Sequence, residues 1–547
     1  MHLSLLLALA SGVTATAPTV SLGGTTLVGR DVSLLKQDFF GGIPYAEPPL
    51  GQLRLKPPVL KTRLSGATFN ASNFSRFCLQ PGSSPTEMSE DCLTINVFRP
   101  SGISENAKLP VFFWTYGGGF QDGAANIYNA SAIVAQSVAR QTPLIFVSFN
   151  YRLGPLGFPQ GAEASREYAL NLALKDQLTA LEWVQANIEY FGGDRSKVTV
   201  FGESAGAIMT AVQLLNPDFS NVARAAIFES GSAATPVEHT AEAREVDWAN
   251  FVGGVPECAS LANTSHTFDC LRTANTSSIL NGVITAISKA PELFGFDPTL
   301  DGPGGFIPDR PSRLFKAGRF ARIPFITGTN LDEGTAFTPR DPDMIYNDDT
   351  LREFFLANLT PSDVSAQTLD SAIDRMLELY PDVPALGSPF NTGNETFGLP
   401  QGYKRFAAIN GDVSFQSQRR LWQQTAAQAG VKTYGYLFTQ PQPAGNPSLG
   451  VSHGSEVLFV FGGVTNPADV PLSRTMIDYW VSFVTSLDPN DGKGLPRPSW
   501  AQYTPQNEVL LQLNGQNTTL IPDNFREEQI GFINENPITF LHKKRFL

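Results

Sequence analysis

The stretch "VTVFGESAGAIMTAVQLL", residues 198–215, places a serine and two glycines between a β-branched run and a run of helix formers. A serine on a sharp turn from a strand into a helix adopts a strained backbone, and its neighbours must be small because the two elements nearly touch there. Gly202 and Gly206 supply that space on either side of Ser204. The stretch therefore predicts a strand, a tight turn that presents Ser204, and a helix.

Strand-like and helix-like segments alternate around this unit. Runs rich in β-branched and aromatic residues occupy residues 109–117 and 142–152, and a run with apolar residues at helical spacing follows at 173–191. This alternation predicts βαβ units and a mostly parallel central sheet with helices on both faces. Later strands are expected at residues 322–330 and 431–440, with an amphipathic helix at 472–487.

The composition favours a large globular protein. The chain has 547 residues, and its 16% of charged residues lies below the roughly 25% usual for soluble proteins. No repeat, low-complexity tract or long linker interrupts it, so we expect one large α/β domain over residues 18–547. The net charge of -12, with no basic run longer than "HKKR" near the C-terminus, argues against nucleic acid and anionic membranes as partners.

The first 17 residues are typical of a secretory signal peptide. Their apolar run, residues 3–10, is too short to span a bilayer but suits the core of a signal peptide. We expect cleavage near residues 15–17, secretion, and no transmembrane anchor. Eight N-glycosylation sequons agree with that location. Their asparagines are Asn70, Asn73, Asn129, Asn263, Asn275, Asn358, Asn394 and Asn517.

The four cysteines form two pairs that are close in sequence. Cys78 lies near Cys92, and Cys258 lies near Cys270. In a secreted chain, pairing between nearest neighbours is the simplest of the three possible connectivities. Neither pair has the spacing of a zinc site, so we expect no bound metal.

A serine hydroxyl becomes a strong nucleophile only when a base accepts its proton, and histidine is the usual base. His453 is the best candidate, because it follows the serine in the chain and lies in a loop where Gly454 permits a turn. The other histidines are expected in the leader, at an exposed helix start, in a short cysteine-bounded loop and in the basic tail. They are His2, His239, His266 and His542, in that order.

An acid that orients the histidine is expected between Ser204 and His453, at the end of a strand. The segment "IPFITGTNLDEGTAF", residues 323–337, offers Asp332 and Glu333 directly after a strand-like run. Spacing alone does not choose between them. The carboxylate that is not used is expected to be exposed in the turn.

A glycine run after an early strand offers donors for a developing negative charge. In "WTYGGGFQDG", residues 114–123, Gly117, Gly118 and Gly119 let peptide N–H groups approach a substrate without a Cβ in the way. Acyl transfer needs such donors around the oxyanion. The run therefore predicts an oxyanion-binding loop.

These motifs, in this order, resemble the type-B carboxylesterase/lipase family of the α/β-hydrolase fold, which includes fungal lipases, sterol esterases and cholinesterases. The resemblance covers nearly the whole chain after the leader and extends to "FFGGIPYAEPPLGQLRLKPP", "SEDCLTINVFRP", "NYRLGPLGF" and "HGSEVLFVFGG". It implies a serine ester hydrolase that needs no cofactor and acts on a small-molecule ester. The sequence carries no signal for an oligomeric state.

The resemblance implies a role for individual residues. It makes Ser204 the nucleophile, His453 the base and Glu333 the acid, and so selects Glu333 over Asp332. It assigns the oxyanion hole to the N–H groups of Gly118, Gly119 and Ala205.

The same resemblance implies a supporting framework. Ser230 is expected to hydrogen-bond beside the acid and the histidine, and Glu90 and Arg152 are expected to form a structural ion pair. The cysteines are expected to pair as Cys78 with Cys92 and Cys258 with Cys270.

The first cysteine loop departs from the pattern of the fungal lipases, where it is long and carries an amphipathic lid helix. Here it encloses only "LQPGSSPTEMSED", residues 79–91, with Leu79 and Met88 as its sizeable apolar residues. The loop also has no tryptophan, which disfavours choline esters. The leading hypothesis is a secreted hydrolase of aryl, hydroxycinnamoyl or short to medium acyl esters.

Two alternatives remain from the sequence. One is a lipase or sterol esterase acting on long-chain esters, with another insertion, after Pro291, serving as the lid. The other belongs to a different class, a catalytically dead esterase-like binding protein. It is disfavoured because all three expected catalytic residues and the glycine loop are present.

Overall fold

The computed structural model describes residues 17–234, 239–290, 293–358 and 364–540. The expected signal peptide up to residue 16, which includes His2, lies outside these ranges, as do Pro291 and His542. Within the described residues, no helix is both long and apolar enough to cross a membrane.

The described residues form fourteen strands and seventeen α-helices. The strands are β1 (Thr19–Leu22), β2 (Thr25–Val28), β3 (Arg30–Val32), β4 (Gln37–Pro44), β5 (Thr68–Asn70), β6 (Thr94–Pro100), β7 (Leu109–Thr115), β8 (Ile145–Phe149), β9 (Gly193–Glu203), β10 (Ala225–Glu229), β11 (Phe325–Asn330), β12 (Thr433–Phe438), β13 (Val509–Leu513) and β14 (Thr519–Pro522). The helices are α1 (Ser131–Ala139), α2 (Gly154–Gly157), α3 (Gly161–Arg166), α4 (Leu172–Asn187), α5 (Ala205–Gln213), α6 (Glu245–Gly253), α7 (Phe268–Thr273), α8 (Thr276–Lys289), α9 (Pro311–Lys316), α10 (Asp348–Asn358), α11 (Ala366–Leu379), α12 (Tyr403–Gly411), α13 (Ser417–Gln428), α14 (Val457–Val460), α15 (Val470–Ser486), α16 (Glu527–Glu535) and α17 (Pro537–Phe540). A π-helical turn, Asp412–Gln416, joins α12 to α13.

Eleven of the described strands form one sheet, in the order β14-β13-β12-β11-β10-β9-β7-β8-β6-β4-β3. The seven strands from β13 to β8 run parallel to one another, and antiparallel strands close both ends. The predicted mostly parallel sheet is confirmed. β1, β2 and β5 make a separate three-stranded sheet.

Helices cover both faces of the large sheet. Successive residues of a strand point to opposite faces, and β7 shows what each face meets. The Trp114 ring lies 4.9 Å from the ring of Phe461, directly after α14. On the other face, Thr115 Oγ1 accepts a hydrogen bond of 2.9 Å from Gln177 of α4. The central strands β8 and β10 and most of β7 are consequently buried, and most of their residues are apolar.

The predicted elements are present, the four strands with shorter bounds and the helices with shifted ones. The runs at 109–117, 142–152, 322–330 and 431–440 contain β7, β8, β11 and β12, and the run at 472–487 belongs to α15. The helical run at 173–191 ends as α4 at Asn187 and continues in a 3₁₀ turn.

The structure contains both expected disulfide bonds, Cys78–Cys92 and Cys258–Cys270. Inside the first loop, Leu79 and Met88 are buried rather than presented to solvent. The side chain of Gln80 exchanges two hydrogen bonds, of 2.9 and 3.0 Å, with the backbone of Gly123. The loop therefore packs onto the end of the glycine loop.

The expected ion pair between Glu90 and Arg152 is wrong. Glu90 binds Arg54 through both carboxylate oxygens, at 2.6 and 2.7 Å. Arg152 binds both oxygens of Asp176 on α4, at 2.6 and 2.9 Å. A guanidinium fork matches one carboxylate at a time, and α4 brings Asp176 to the arginine.

Seven of the eight sequon asparagines have exposed side chains in the described residues, as glycosylation requires. The eighth, Asn358, ends α10, and its side chain lies outside the description.

Candidate active site

The candidate site lies where the order of strands reverses. From β7 the chain passes to β8 on one side, then crosses to β9 on the other side of β7 and continues outward through β10, β11 and β12. In open α/β sheets, ligands bind at the carboxyl ends of the strands at such a switch point. The glycine loop follows β7 and Ser204 follows β9, so the topology brings them together.

Ser204 occupies the strained turn that the sequence predicts. Its φ of 54° and ψ of −127° are rare for a residue with a side chain. Its N–H donates to the carbonyl of Glu229 on β10 at 2.9 Å, which holds the turn. A Cβ on Gly202 would lie 2.5 Å from the Gly206 carbonyl carbon, and one on Gly206 would lie 2.0 Å from the Thr115 carbonyl oxygen. Both glycines are therefore needed for close packing.

His453 and Glu333 form a hydrogen-bonded pair, with Nδ1 2.6 Å from Oε2. Oε1 of Glu333 accepts hydrogen bonds from Ser230 Oγ at 2.6 Å and from the N–H of Asn330 at 2.7 Å. With Glu333 as acceptor, Nδ1 carries the proton. Nε2 makes no hydrogen bond to a described residue, although Oε1 of Glu203 lies 3.2 Å from it, and it is the nitrogen that can act as a base.

Ser230 lies where the resemblance expects it. It follows β10, has a φ of 54°, and its N–H donates to the Gly328 carbonyl at 2.9 Å. This backbone turns its hydroxyl toward Glu333 and, at 3.2 Å, toward Glu456.

Asp332 differs from its expected exposed position. The side chain is buried and accepts hydrogen bonds from Ser388 Oγ, from the N–H of Phe390 and from the N–H of Val451. Within the described residues, Glu333 and not Asp332 is bonded to His453.

The glycine loop lies directly against the serine. A Cβ on Gly117 would lie 2.9 Å from the Cβ of Ser204. Gly118 and Gly119 have φ values of 97° and 58°, which favour glycine. The N–H groups of Gly118, Gly119 and Ala205 make no hydrogen bond to any described residue. These unpaired donors beside a serine can bind an oxyanion.

Two buried glutamates beside the pair were missed by sequence reasoning. Oε1 of Glu203 lies 3.2 Å from His453 Nε2, and Glu456 accepts a hydrogen bond of 2.5 Å from Asn330 Nδ2. Burial raises the pKa of Glu203 to about 8 and, together with the nearby Glu333, that of Glu456 to about 7. Burial lowers the pKa of His453, but Glu203 and Glu333 outweigh that effect and raise it to about 9. Both glutamates lie inside the quoted motifs, next to the serine and three residues after the histidine.

Three phenylalanines line the candidate site beside His453 and the glycine loop. They are Phe294, Phe337 and Phe415. The rings of Phe337 and Phe415 lie 4.9 and 4.8 Å from the His453 ring. Phe294 lies over Gly119, where an added Cβ would come within 1.9 Å of its ring. Phe415 belongs to the π-helical turn, and such turns are frequent at functional sites.

The expected exposed position of His239 is wrong. It is buried, and its Nε2 lies 2.9 Å from Asp297 Oδ1 and 3.0 Å from Arg244 Nε. A buried partner distant in sequence, such as Asp297, cannot be read from a local pattern. His266 is exposed, as expected.

Known proteins are similar to this chain in both sequence and fold. Residues 16–533 match the model of the carboxylesterase family. Lipase 2 of Geotrichum candidum is 35% identical, covering 95% of this chain and 96% of the lipase. A secreted triacylglycerol lipase of Gibberella zeae is 33% identical, covering 95% of this chain and 90% of the lipase.

Solved structures agree. EstA of Aspergillus niger superposes with a TM-score of 0.82 at 26% identity, covering 96% of this chain and 99% of EstA. A PNB esterase superposes with a TM-score of 0.76 at 27% identity, covering 94% of this chain and 100% of that chain. The chain therefore belongs to the carboxylesterase family and is a serine ester hydrolase of the α/β-hydrolase fold.

Proposed function

We propose that this protein is a secreted carboxylic-ester hydrolase that acts through Ser204, His453 and Glu333 on partly apolar esters. The preferred substrates are aryl, hydroxycinnamoyl and short to medium acyl esters. The catalytic domain spans residues 18–547 after removal of the signal peptide. Relatives named as secreted lipases support export.

In the acylation half of the reaction, Ser204 Oγ attacks the carbonyl carbon of the ester while Nε2 of His453 takes the hydroxyl proton. The carbonyl oxygen becomes an oxyanion that accepts hydrogen bonds from the N–H groups of Gly118, Gly119 and Ala205. The intermediate then expels the alcohol, which receives the proton from His453 and leaves an acyl-serine.

In the second half, a water molecule attacks the acyl-serine and gives its proton to His453. The tetrahedral intermediate collapses, the proton returns to Ser204, and the carboxylic acid leaves. Throughout both halves, Glu333 holds the proton on Nδ1 and stabilises the imidazolium that forms.

The substrate preference rests on the glycine loop and what lies on it. The short disulfide loop is bonded to Gly123 and so braces the glycine loop. The Phe294 ring lies against Gly119, where it limits the space for an acyl chain beside the oxyanion donors. A braced loop and a nearby aromatic ring favour short or planar acyl groups.

A lipase or sterol esterase that acts on long-chain esters is the second candidate. The names of the relatives favour it, since several at 32–35% identity are called lipases. That function needs an apolar surface that opens at a lipid interface, and an insertion other than the first disulfide loop would have to provide it.

Tributyrin hydrolysis across the solubility limit separates the two candidates. We expect ordinary saturation below the limit and no jump when the emulsion forms. A panel from acetate to long-chain esters, with methyl ferulate and cholesteryl oleate, then ranks the substrates. A sharp rise at the limit with little activity below it would favour the lipase.

A further inference from the structure

Asp332 is a buried carboxyl that the proposed reaction does not use, although it precedes Glu333 in the chain. The residue is 2% exposed, and its side chain accepts three hydrogen bonds. Two come from one segment, Ser388 Oγ and the Phe390 N–H, each at 2.8 Å to Oδ1. The third comes from the Val451 N–H at 2.9 Å to Oδ2. Val451 lies two residues before His453.

The bond to Val451 is one half of a reciprocal pair. The N–H of Asp332 donates to the carbonyl of Val451 at 2.9 Å, while the N–H of Val451 donates to the side chain of Asp332. A parallel contact lies close by, where Thr335 Oγ1 donates to the Leu449 carbonyl at 2.7 Å. The turn that carries Glu333 is thereby fastened to the loop that carries His453.

The backbone of Gly450 packs closely against the Asp332 side chain. Gly450 has a φ of 58°, and a Cβ on it would lie 2.4 Å from Oδ2 of Asp332. All three groups that donate to the Asp332 side chain are neutral. Among the described residues Arg526 acts on it only through its charge, without a direct ion pair. Burying a carboxyl without a cationic partner is unfavourable. Burial accordingly raises its pKa.

We propose that Asp332 is a positioning residue, which sets the separation of Glu333 and His453 by clamping their two loops together. This inference rests on the proposed catalytic roles of Glu333 and His453. An ionised carboxylate can hold the two loops together because both of its oxygens accept hydrogen bonds and all three groups that face it are donors. An asparagine would turn its NH₂ toward at least one of these donors and loosen the clamp.

The first test is Asp332→Asn, measured with 4-nitrophenyl butyrate. A misplacement of about 1 Å at a reacting group can cost roughly a hundredfold in rate, so we expect kcat to fall by roughly 10- to 100-fold. KM should stay within about twofold, because Asp332 does not touch the substrate. Complete titration with an organophosphonate counts the competent serines, so that kcat refers to folded enzyme alone.

The second test is a double-mutant cycle with Glu333→Gln. If Asp332 acts through the Glu333–His453 pair, the double variant should be hardly slower than Glu333→Gln alone, because residues that act as one unit give non-additive losses. Multiplied losses would mean that Asp332 acts elsewhere, and the proposal would be overturned. An unchanged kcat per titrated site in Asp332→Asn would overturn it too.

Asp301 provides the matched control. It also accepts two backbone N–H groups and one side-chain amide, from Phe306, Ile307 and Asn171. Asp301→Asn should leave kcat per titrated site within about twofold, since its partners carry no catalytic group. An equal loss in the control would show a general effect of removing a carboxylate that accepts three hydrogen bonds and would overturn the proposal.

Thr335→Val tests the same clamp if Asp332→Asn does not fold. It removes the hydroxyl contacts with the carbonyls of Leu449 and Asp332. It should lower kcat several-fold, again without adding to the loss in Glu333→Gln, and an unchanged kcat would overturn the clamp. A different result would show that the proposed catalytic role of Glu333 is wrong. In that case Glu333→Gln itself would keep more than a tenth of wild-type kcat.

Discussion

The strand ends that carry the candidate chemistry and the loops that border the substrate differ in how their positions are fixed. Ser204 is held by a backbone bond to β10 and by glycines that touch β7. The proposed substrate side consists of Phe294, which lies over Gly119, and of the glycine loop that the disulfide loop 78–92 braces through Gly123. The first region is set by the sheet, and the second by insertions.

This contrast separates what is shared from what can vary. A strand that slipped by one residue would move its catalytic residue away from those on the neighbouring strands, so the chemistry tolerates little change. A loop can be shortened or repacked without disturbing the strands. Removing a reacting group at a strand end should therefore abolish catalysis, and changes on the substrate side should alter which ester is chosen.

Ser204→Ala should have the largest effect. Removing the nucleophile is expected to lower kcat by roughly 10⁴ to 10⁶, measured with 4-nitrophenyl butyrate. Because the side chain is small and the turn is held by backbone bonds, secretion yield and unfolding temperature should not change. Activity above a tenth of wild type would reject Ser204 as the nucleophile.

Glu333→Gln is expected to rank next. An amide in this place favours the wrong tautomer of His453, and the equivalent change elsewhere lowers kcat by roughly 10⁴. Asp332→Asn should cost much less, since it only loosens the position of the pair. A reversed order in side-by-side kcat measurements would transfer the acid role to Asp332.

Gly118→Val should displace an oxyanion donor. Its Cβ would lie 2.2 Å from the Asp122 carbonyl oxygen, so the loop must move. Losing one such donor costs roughly 10² to 10³ in kcat. Gly304→Val is the matched control, because Gly304 has a similar φ of 88° with nothing near its Cβ position. Equal kcat in the two variants would locate the oxyanion donors elsewhere.

Phe294→Ala tests the substrate side. Removing the ring beside Gly119 should keep the overall rate on butyrate within about tenfold. The ratio of kcat/KM for octanoate over acetate should rise by roughly tenfold. Leu293→Ala, at an exposed neighbour, should leave that ratio unchanged. If the ratio does not move in Phe294→Ala, another element limits the acyl chain.

Glu203→Gln should have the smallest effect. Glu203 raises the pKa of His453, so removing its charge lowers that pKa. The reaction needs neutral His453, and the acid limb of kcat/KM should therefore move to lower pH, by up to about one unit. An acid limb that stays in place or moves to higher pH would show that Glu203 does not act on His453.

Residues read from strand-to-turn patterns were located well by sequence. Local periodicity predicts the alternating strands, and glycine positions predict the Ser204 turn and the glycine loop. Both signals can be read directly from the sequence. The choice of Glu333 over Asp332 was not visible from spacing, because adjacent residues in a tight turn point in different directions. Resemblance to a family supplied that choice.

Burial and long-range pairing explain the errors. Asp332, expected in solvent, receives donors from segments 56 to 119 residues away. Glu90 and Arg152 each have a closer partner that the folded chain brings into place. Such contacts depend on the packing of several loops, so no short motif contains them.

Mass spectrometry of the protein after reaction with an alkyl phosphonate tests the central claim most directly. The account predicts one adduct per chain, on the peptide that contains Ser204, with hydrolysis of 4-nitrophenyl butyrate lost in proportion to labelling. Ser204→Ala should take up no label, and His453→Ala should be labelled far more slowly. Full modification of Ser204 with activity retained, or activity lost through an adduct on another residue, would contradict the account.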